Sequence, residues 1–367
     1  MKKMDTYYYN AVDLLKQLIA IPSFSRDETA ATDVLDNYLK ENGLNPNRKG
    51  NNLWVLSPNW DDTKPTILLN SHIDTVKPVA GWTRDPFVPT EEGDKLYGLG
   101  SNDAGASLVS LLAAFCHCVA GYDSQSHPQS PDSKSKPHAR AYNYVFLASC
   151  EEEVSGADGI ESVLPELPPI ALAIVGEPTG MRPAIAERGL MVLDGVVHGK
   201  SGHAARDEGE NAIYKALPVI EWFKHLRFPK ESELLGAVKT TVTMIDAGTQ
   251  HNVIPDTCRF TVDVRSNELY SNEQIFKKIV VGCGCEISAR SFRLNSSSID
   301  PNNFIVQRAK LLGLEPYGSP TLSDQALMPF PSLKMGPGAS ERSHTADEFV
   351  YLTEIRHAIE IYVRLLS

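Results

Sequence analysis

Eight side chains in this 367-residue sequence have the types and spacing for metal or acid–base chemistry: His72, Asp74, Asp103, Glu151, Glu152, Glu153, Glu177 and His344. Most of them follow a strand-like apolar run. "TILLNS" precedes His72 and Asp74, "KLYGLGSN" precedes Asp103, "YVFLAS" leads to the acidic triplet at 151–153, and "LAIVG" leads to Glu177. A single carboxylate after a strand is commonly a helix N-cap or a turn former. Taken together, two imidazoles and several carboxylates make a mixed nitrogen and oxygen ligand set suited to zinc or a similar divalent ion. Without a cation such crowded acids would repel one another and raise each other's pKa. One metal takes about three or four protein ligands. The surplus here points to two ions roughly 3.5–4 Å apart, bridged by a carboxylate, with a water activated for attack.

Residues so far apart in sequence meet only if a fold gathers them. Runs such as "TILLNS", "YNYVFLAS" and "LAIVGE" alternate with helical stretches such as "ASLVSLLAAFCHCVAG", the rhythm of an α/β sheet covered by helices. In such sheets the crevice beyond the strand C-termini is the usual ligand site. Between about Met181 and Arg290 the pattern changes to strand, helix, strand, strand, helix, strand, a complete βαββαβ module set within a larger fold. The expected division is therefore 1–180 with 291–367 for one domain and 181–290 for the insert. The stretch from Gly121, "GYDSQSHPQSPDSKSKPHARA", is rich in Ser, Pro and charge and reads as a surface loop.

Composition excludes other classes. A formal net charge of −11 argues against a nucleic-acid surface, and a small-molecule substrate fits better. No stretch reads as a signal h-region or a membrane span, so a cytoplasmic protein with no membrane partner is expected. Six cysteines are too sparse for a disulfide scaffold and read as reduced thiols. The pairs Cys116/Cys118 and Cys283/Cys285 are C-x-C, with no partner set that would make them a zinc site.

The segments "SHIDTV", "GLGSNDAG", "ASCEEEVSG", "VGEPTG" and "SERSHTADEF" resemble, in order, the metal motifs of the M20 metallopeptidase family, which includes acetylornithine deacetylase and succinyl-diaminopimelate desuccinylase. The opening "LLKQLIAIPSFS", the internal "SGHAA…GENAI" and "HNVIP", and the closing "MGPG" are also similar, so the resemblance spans nearly the whole chain. It implies a zinc-peptidase-like catalytic domain, with a central mixed sheet flanked by helices, and a ferredoxin-like dimerisation or lid insert. It further implies two Zn²⁺ per chain, for which Co²⁺ can substitute: His72, Asp103 and Glu177 on one, His344, Asp103 and Glu153 on the other, with Asp103 as the bridge.

On the same resemblance Asp74 orients His72, and Glu152 is the general base that takes a proton from the attacking water and delivers it to the departing amine. Residues two apart on a strand point to the same side, which lets Asp74 reach the second imidazole nitrogen. A slip of one residue would exchange the roles of Glu152 and Glu153. His203 of "KSGHAA" is implied to stabilise the oxyanion in the partner subunit's site, which calls for a homodimer. Two departures stand out: "RDEGENAI" is one residue short and lacks a Pro, and "GLGSNDAG" lacks a lysine common after the bridging aspartate.

Arg188, Asn252 and Arg265 match family positions that bind substrate, and Arg342 is a further candidate from its place beside His344. The implied reaction is hydrolytic removal of an acetyl or succinyl group from an N-acyl amino acid. Acetylornithine deacetylase or an acylcitrulline or acylornithine deacylase of arginine synthesis is the first expectation. Succinyl-diaminopimelate desuccinylase and an M20 dipeptidase or aminoacylase are the alternatives. A catalytically silent zinc-binding homologue is disfavoured, because the base and all the ligand positions are present.

Overall fold

The computed structural model describes residues 2–120, 141–206 and 208–367, so the loop expected from Gly121 lies almost wholly outside the described residues. The chain divides into two compact units. The first comprises Met1–Ile185, Ile299–Tyr317 and Ser323–Ser367; the second comprises Ala186–Ser298 and Gly318–Leu322. The split falls a few residues later than the sequence suggests, because "AIAE" continues as a strand, Ala184–Glu187, past the expected border.

In the first unit the central strand Thr66–His72 runs parallel to Asn143–Ser149 on one side and to Leu172–Val175 on the other. Ser332–Lys334 extends the parallel set beyond Leu172–Val175, and Asn52–Leu56 adds an antiparallel strand beyond Asn143–Ser149. Every residue of Thr66–His72 and of Asn143–Ser149 is buried, which is why these strands read as continuous apolar runs rather than alternations. Helices Lys2–Ile19, Ala106–Ala120 and Leu352–Leu366 supply Leu14, Leu15, Leu111, Phe115, Ile359 and Tyr362 to the larger core cluster. Trp54, Leu68, Val145, Leu147, Ala173 and Val175 form a second cluster.

The segment Ser101–Val119 is the one helix among the described residues long and apolar enough to cross a membrane, and 72% of its most apolar window is buried inside the fold. All six cysteines are free thiols. Burial pushes the Cys116 thiol up to about 12, and no cysteine joins a metal-ligand cluster among the described residues.

The second unit follows the expected element order: Gly189–His198, helix Ala212–His225, Lys239–Ala247, Thr257–Ser266, helix Asn272–Gly282 and Glu286–Ala289. Those four strands form an antiparallel sheet in which Thr257–Ser266 and Gly189–His198 are central. Those two strands alternate strictly between buried and less buried residues, so one face is covered. Met191, Leu193, Phe260, Val262 and Val264 meet Ala216, Val219, Phe223, Ile275 and Ile279 there. Gly195 lies opposite Phe260, and a Cβ at that position would sit 2.2 Å from the ring. The strand Lys239–Ala247 is at the sheet edge and leaves Met244 and Ile245 exposed.

Candidate metal centre

Because Thr66–His72, Asn143–Ser149 and Leu172–Val175 are parallel, their C-terminal ends share one edge, where the chain leaves to His72, the acidic triplet and Glu177. Asp103 arrives from the turn Ser101–Gly105, which enters the core helix Ala106–Ala120 and holds Asp103 at φ −120° and ψ 100°. His344 arrives from the loop after Ser340–Arg342, at φ 58°.

Two donor groups result. His72, Asp103 and Glu177 place one ligand atom each within 4.8 Å of one another, and so do Asp103, Glu153 and His344. His72 Nε2 lies 3.3 Å from Asp103 Oδ1 and 3.8 Å from Glu177 Oε1. His344 Nε2 lies 3.7 Å from Asp103 Oδ2 and 3.1 and 3.0 Å from the two oxygens of Glu153. Asp103 thus turns one oxygen to each group.

The charges are those of a cation site. Burial, followed by the charge of Glu177, pushes the Glu152 carboxyl well above the usual range; burial and the charge of Asp103 do the same to Glu177. Burial opposes a charged His72, but hydrogen bonds with Asp103 and Asp74 and the field of Glu177 and Glu152 outweigh it and hold the imidazole well above its ordinary pKa. The hydrogen bond with Glu153 raises His344 to about 9. Acids that retain protons and histidines that retain theirs are what a nitrogen and oxygen donor set does in place of a divalent ion, so the residues present fit such an ion.

Asp74 meets His72 Nδ1 through both its backbone and its side chain. His72 Nδ1 is nearest to the backbone carbonyl of Asp74, at 2.9 Å, with the Asp74 carboxylate at 3.4 Å. The carboxylate also accepts the backbone N–H of Glu152 at 3.0 Å and of Glu153 at 3.1 Å, and the Ser25 hydroxyl at 2.7 Å.

Three buried acids were not singled out in the sequence. Glu348 Oε1 accepts the backbone N–H of Asn102 at 2.8 Å and of Asp103 at 3.0 Å, and burial lifts its carboxyl to about 8. Asp324 accepts the Ser149 hydroxyl at 2.5 Å, and burial lifts it to about 6. Glu28 accepts the backbone N–H of Glu151 at 3.2 Å. Each sits in a short polar stretch that reads as a turn, and only the fold shows it to be buried.

Arg342 does not face the donors as a free cation. Its guanidinium forks onto Glu354 at 2.9 and 2.6 Å and stacks on Phe349 and Tyr351. In the second unit, His203 lies exposed on a short strand paired with Val253–Ile254, which brings "GHAA" against "HNVIP". Its Nδ1 accepts the N–H of Ala205 at 3.1 Å, and the carbonyl of Asn252 accepts the N–H of Ala204 at 3.0 Å. Lys200 and Glu210, on either side of the shortened segment, exchange backbone hydrogen bonds at 2.8 and 2.9 Å. Asn211 caps the following helix, accepting from Ile213 at 2.9 Å. Arg188 is buried and donates to the carbonyls of Ala237 and Leu235, while Arg265 forks onto Asp263 at 2.9 and 3.0 Å.

Residues 68–128 match the family model of peptidase family M20/M25/M40, and residues 185–281 match the peptidase dimerisation domain that bears the M20 name. Both matching models are of the M20 family. The matches support a metal-dependent hydrolase. The chain is 26% identical to a succinyl-diaminopimelate desuccinylase of Wolbachia pipientis over 97% of this chain and 92% of that one. It is 25% identical to one of Rickettsia bellii over 96% and 95%. Among solved structures, aminopeptidase PepT of Bacillus cereus superposes with a TM-score of 0.75 at 18% identity over 98% of both chains. A dinuclear metal binding M20 peptidase of Bacillus subtilis does so with 0.69 at 17% over 99% and 98%. At those identities the likeness is one of fold, and this chain shares the M20 fold along its length.

Proposed function

We propose that the chain is a di-zinc hydrolase that removes a succinyl group from the amine of an amino acid, of the succinyl-diaminopimelate type. The observation that carries the metal reading is Asp103, whose two oxygens face two separate His and carboxylate groups. The full-length relatives named succinyl-diaminopimelate desuccinylase favour succinyl over the acetyl group of acetylornithine. Bound zinc would supply Lewis acidity toward an acyl oxygen and a lowered pKa for water.

The protein's own groups do the rest. Glu152 accepts the proton of the attacking water and returns it to the departing amine. Glu153 and His344 would hold one ion, and His72 and Glu177 the other, with Asp103 placed to serve both. His203 serves the oxyanion of the partner subunit. The exposed edge strand with Met244 and Ile245, and the exposed Tyr214 and Leu217 of the helix Ala212–His225, support a homodimer formed through the second unit. Arg188, Asn252 and Arg265 are the groups for substrate carboxylates; the N–H groups that each guanidinium has left over from Ala237, Leu235 and Asp263 are the ones available to a ligand. Six free thiols support a reducing compartment such as the cytoplasm.

The test is a panel of N-succinyl-diaminopimelate, N-succinylornithine, N-succinylcitrulline, their N-acetyl counterparts and a few dipeptides, with the released amine measured. Faster turnover of an acetyl substrate or a dipeptide than of every succinyl substrate would reject the proposal.

A further inference from the structure

Three successive backbone amides, those of Glu151, Glu152 and Glu153, each donate to a carboxylate. Asp74 takes the second and third, and Glu28 takes the first. Glu28 lies 123 residues before Glu151, belongs to neither donor group and is 0% exposed. A carboxylate so deeply buried is tolerated where its lone pairs are filled. Here Oε1 accepts from the N–H of Arg26 at 2.7 Å and of Glu151 at 3.2 Å, and Oε2 accepts from Asn51 Nδ2 at 2.8 Å.

Glu28 stands at the N-cap position of the helix Thr29–Glu41 yet gives that helix no side-chain hydrogen bond. A residue there ordinarily caps its own helix. Glu28 instead reaches the one residue of the triplet with left-handed backbone: Glu151 has φ 55°, a conformation an L side chain keeps only where its surroundings impose it. The Glu151 side chain is turned away from the donors. It packs on Gly156, where a Cβ would lie 1.6 Å from its Oε2, and stands 3.7 Å from Arg26. Left-handed backbone at Glu151 thus separates it from the two residues that follow.

We propose that Glu28 is a positioning residue, which fixes the left-handed turn at Glu151 and so sets where Glu152 and Glu153 reach the donor groups. It touches no donor atom, and its effect passes through the backbone. The inference rests on the base and ligand roles given above to Glu152 and Glu153.

The experiment uses the full-length protein. It compares Glu28→Ala, Glu28→Gln, the one-methylene-shorter Glu28→Asp, and Asn51→Ala, which removes a bond to Glu28 but leaves the one to Glu151. Zinc affinity is measured by chelator competition, site geometry by the absorption spectrum of the Co²⁺ form, and kcat and KM on an N-succinyl substrate. Glu28→Ala and Glu28→Asp are expected to lose kcat on the order of 10- to 100-fold, with KM within about threefold, a weakened zinc site and a changed Co²⁺ spectrum. Glu28→Gln, which keeps an acceptor oxygen for the Glu151 N–H, is expected to recover most of the loss. Asn51→Ala is expected to lower Tm alone. Glu28→Asp, or a folded Glu28→Ala, that behaves like Asn51→Ala would overturn the proposal. Wild-type protein that binds no zinc in the same titration would refute the metal reading instead.

Discussion

Asp74 Oδ1 accepts the backbone N–H of Glu152 at 3.0 Å across 78 residues of sequence, while the same residue's carbonyl meets the Nδ1 of His72 at 2.9 Å. One aspartate therefore locates both an imidazole donor and the acidic triplet. Asp74→Asn keeps one acceptor oxygen but sets an amide N–H against a backbone N–H. It should cost roughly 10- to 100-fold in zinc affinity or in kcat, and Asp74→Ala more. Calorimetric zinc titration beside steady-state kinetics checks this; an Asp74→Ala protein with unchanged affinity and rate would refute it.

Stripping the metal should abolish hydrolysis, and zinc or cobalt should restore it, with about two ions per chain at saturation. Glu152→Gln should keep both ions and lose on the order of 10²- to 10⁴-fold in kcat, whereas Glu153→Gln should also release one ion. Elemental analysis of the two variants separates the roles. Metal loss from the Glu152 variant alone would show that the two glutamates are exchanged.

Stability of the metal-free protein should fall as pH rises. Glu348 is raised from 4.5 to about 8 by burial, and His344 from 6.5 to about 9 by its bond with Glu153. Both bind their proton more tightly folded than unfolded. Their contributions are therefore present in full below the unfolded values, and are lost through about pH 8 and about pH 9. Thermal melts in chelator from pH 5 to 9 should show Tm declining across that window, and zinc should raise Tm most at its alkaline end. A Tm that climbs from pH 6 to 9 in chelator would contradict this.

His203→Ala should retain metal and dimer but lose on the order of 10²-fold in turnover, as an oxyanion-hole donor would. Mixed with Glu152→Gln under conditions of subunit exchange, it should regain activity, because one site of the mixed dimer would have both groups intact. No recovery despite demonstrated exchange would place His203 outside the partner's site.

The legible part of this protein was the part that announces itself by apolar runs. His72, Asp103, Glu177 and the triplet each follow a buried strand or turn, and the βαββαβ order of the second unit follows from the two-residue alternation of Gly189–His198 and Thr257–Ser266. What stayed hidden works through backbone amides. Glu28 looks like a cap, and Glu348 looks like a surface acid before the strand Phe349–Tyr351. No spacing rule reveals that an acid's partner is an N–H more than a hundred residues away. Arg342 was misleading for the opposite reason: adjacency to His344 suggested a ligand-facing cation, but Glu354 on the last helix offered it a fixed carboxylate and two aromatic faces.

The shared carboxylate also gives the two donor groups different birthdays. Once a nascent chain has emerged to residue 177, it already carries His72, Asp103 and Glu177, all three members of the first group. The second group, with Asp103 and Glu153 in hand, must wait for His344, on the far side of the whole second unit. During synthesis, then, the residues of one group are all present long before those of the other, yet the backbone N–H of Asp103, which both groups share, gains its partner Glu348 only with the segment after the second unit.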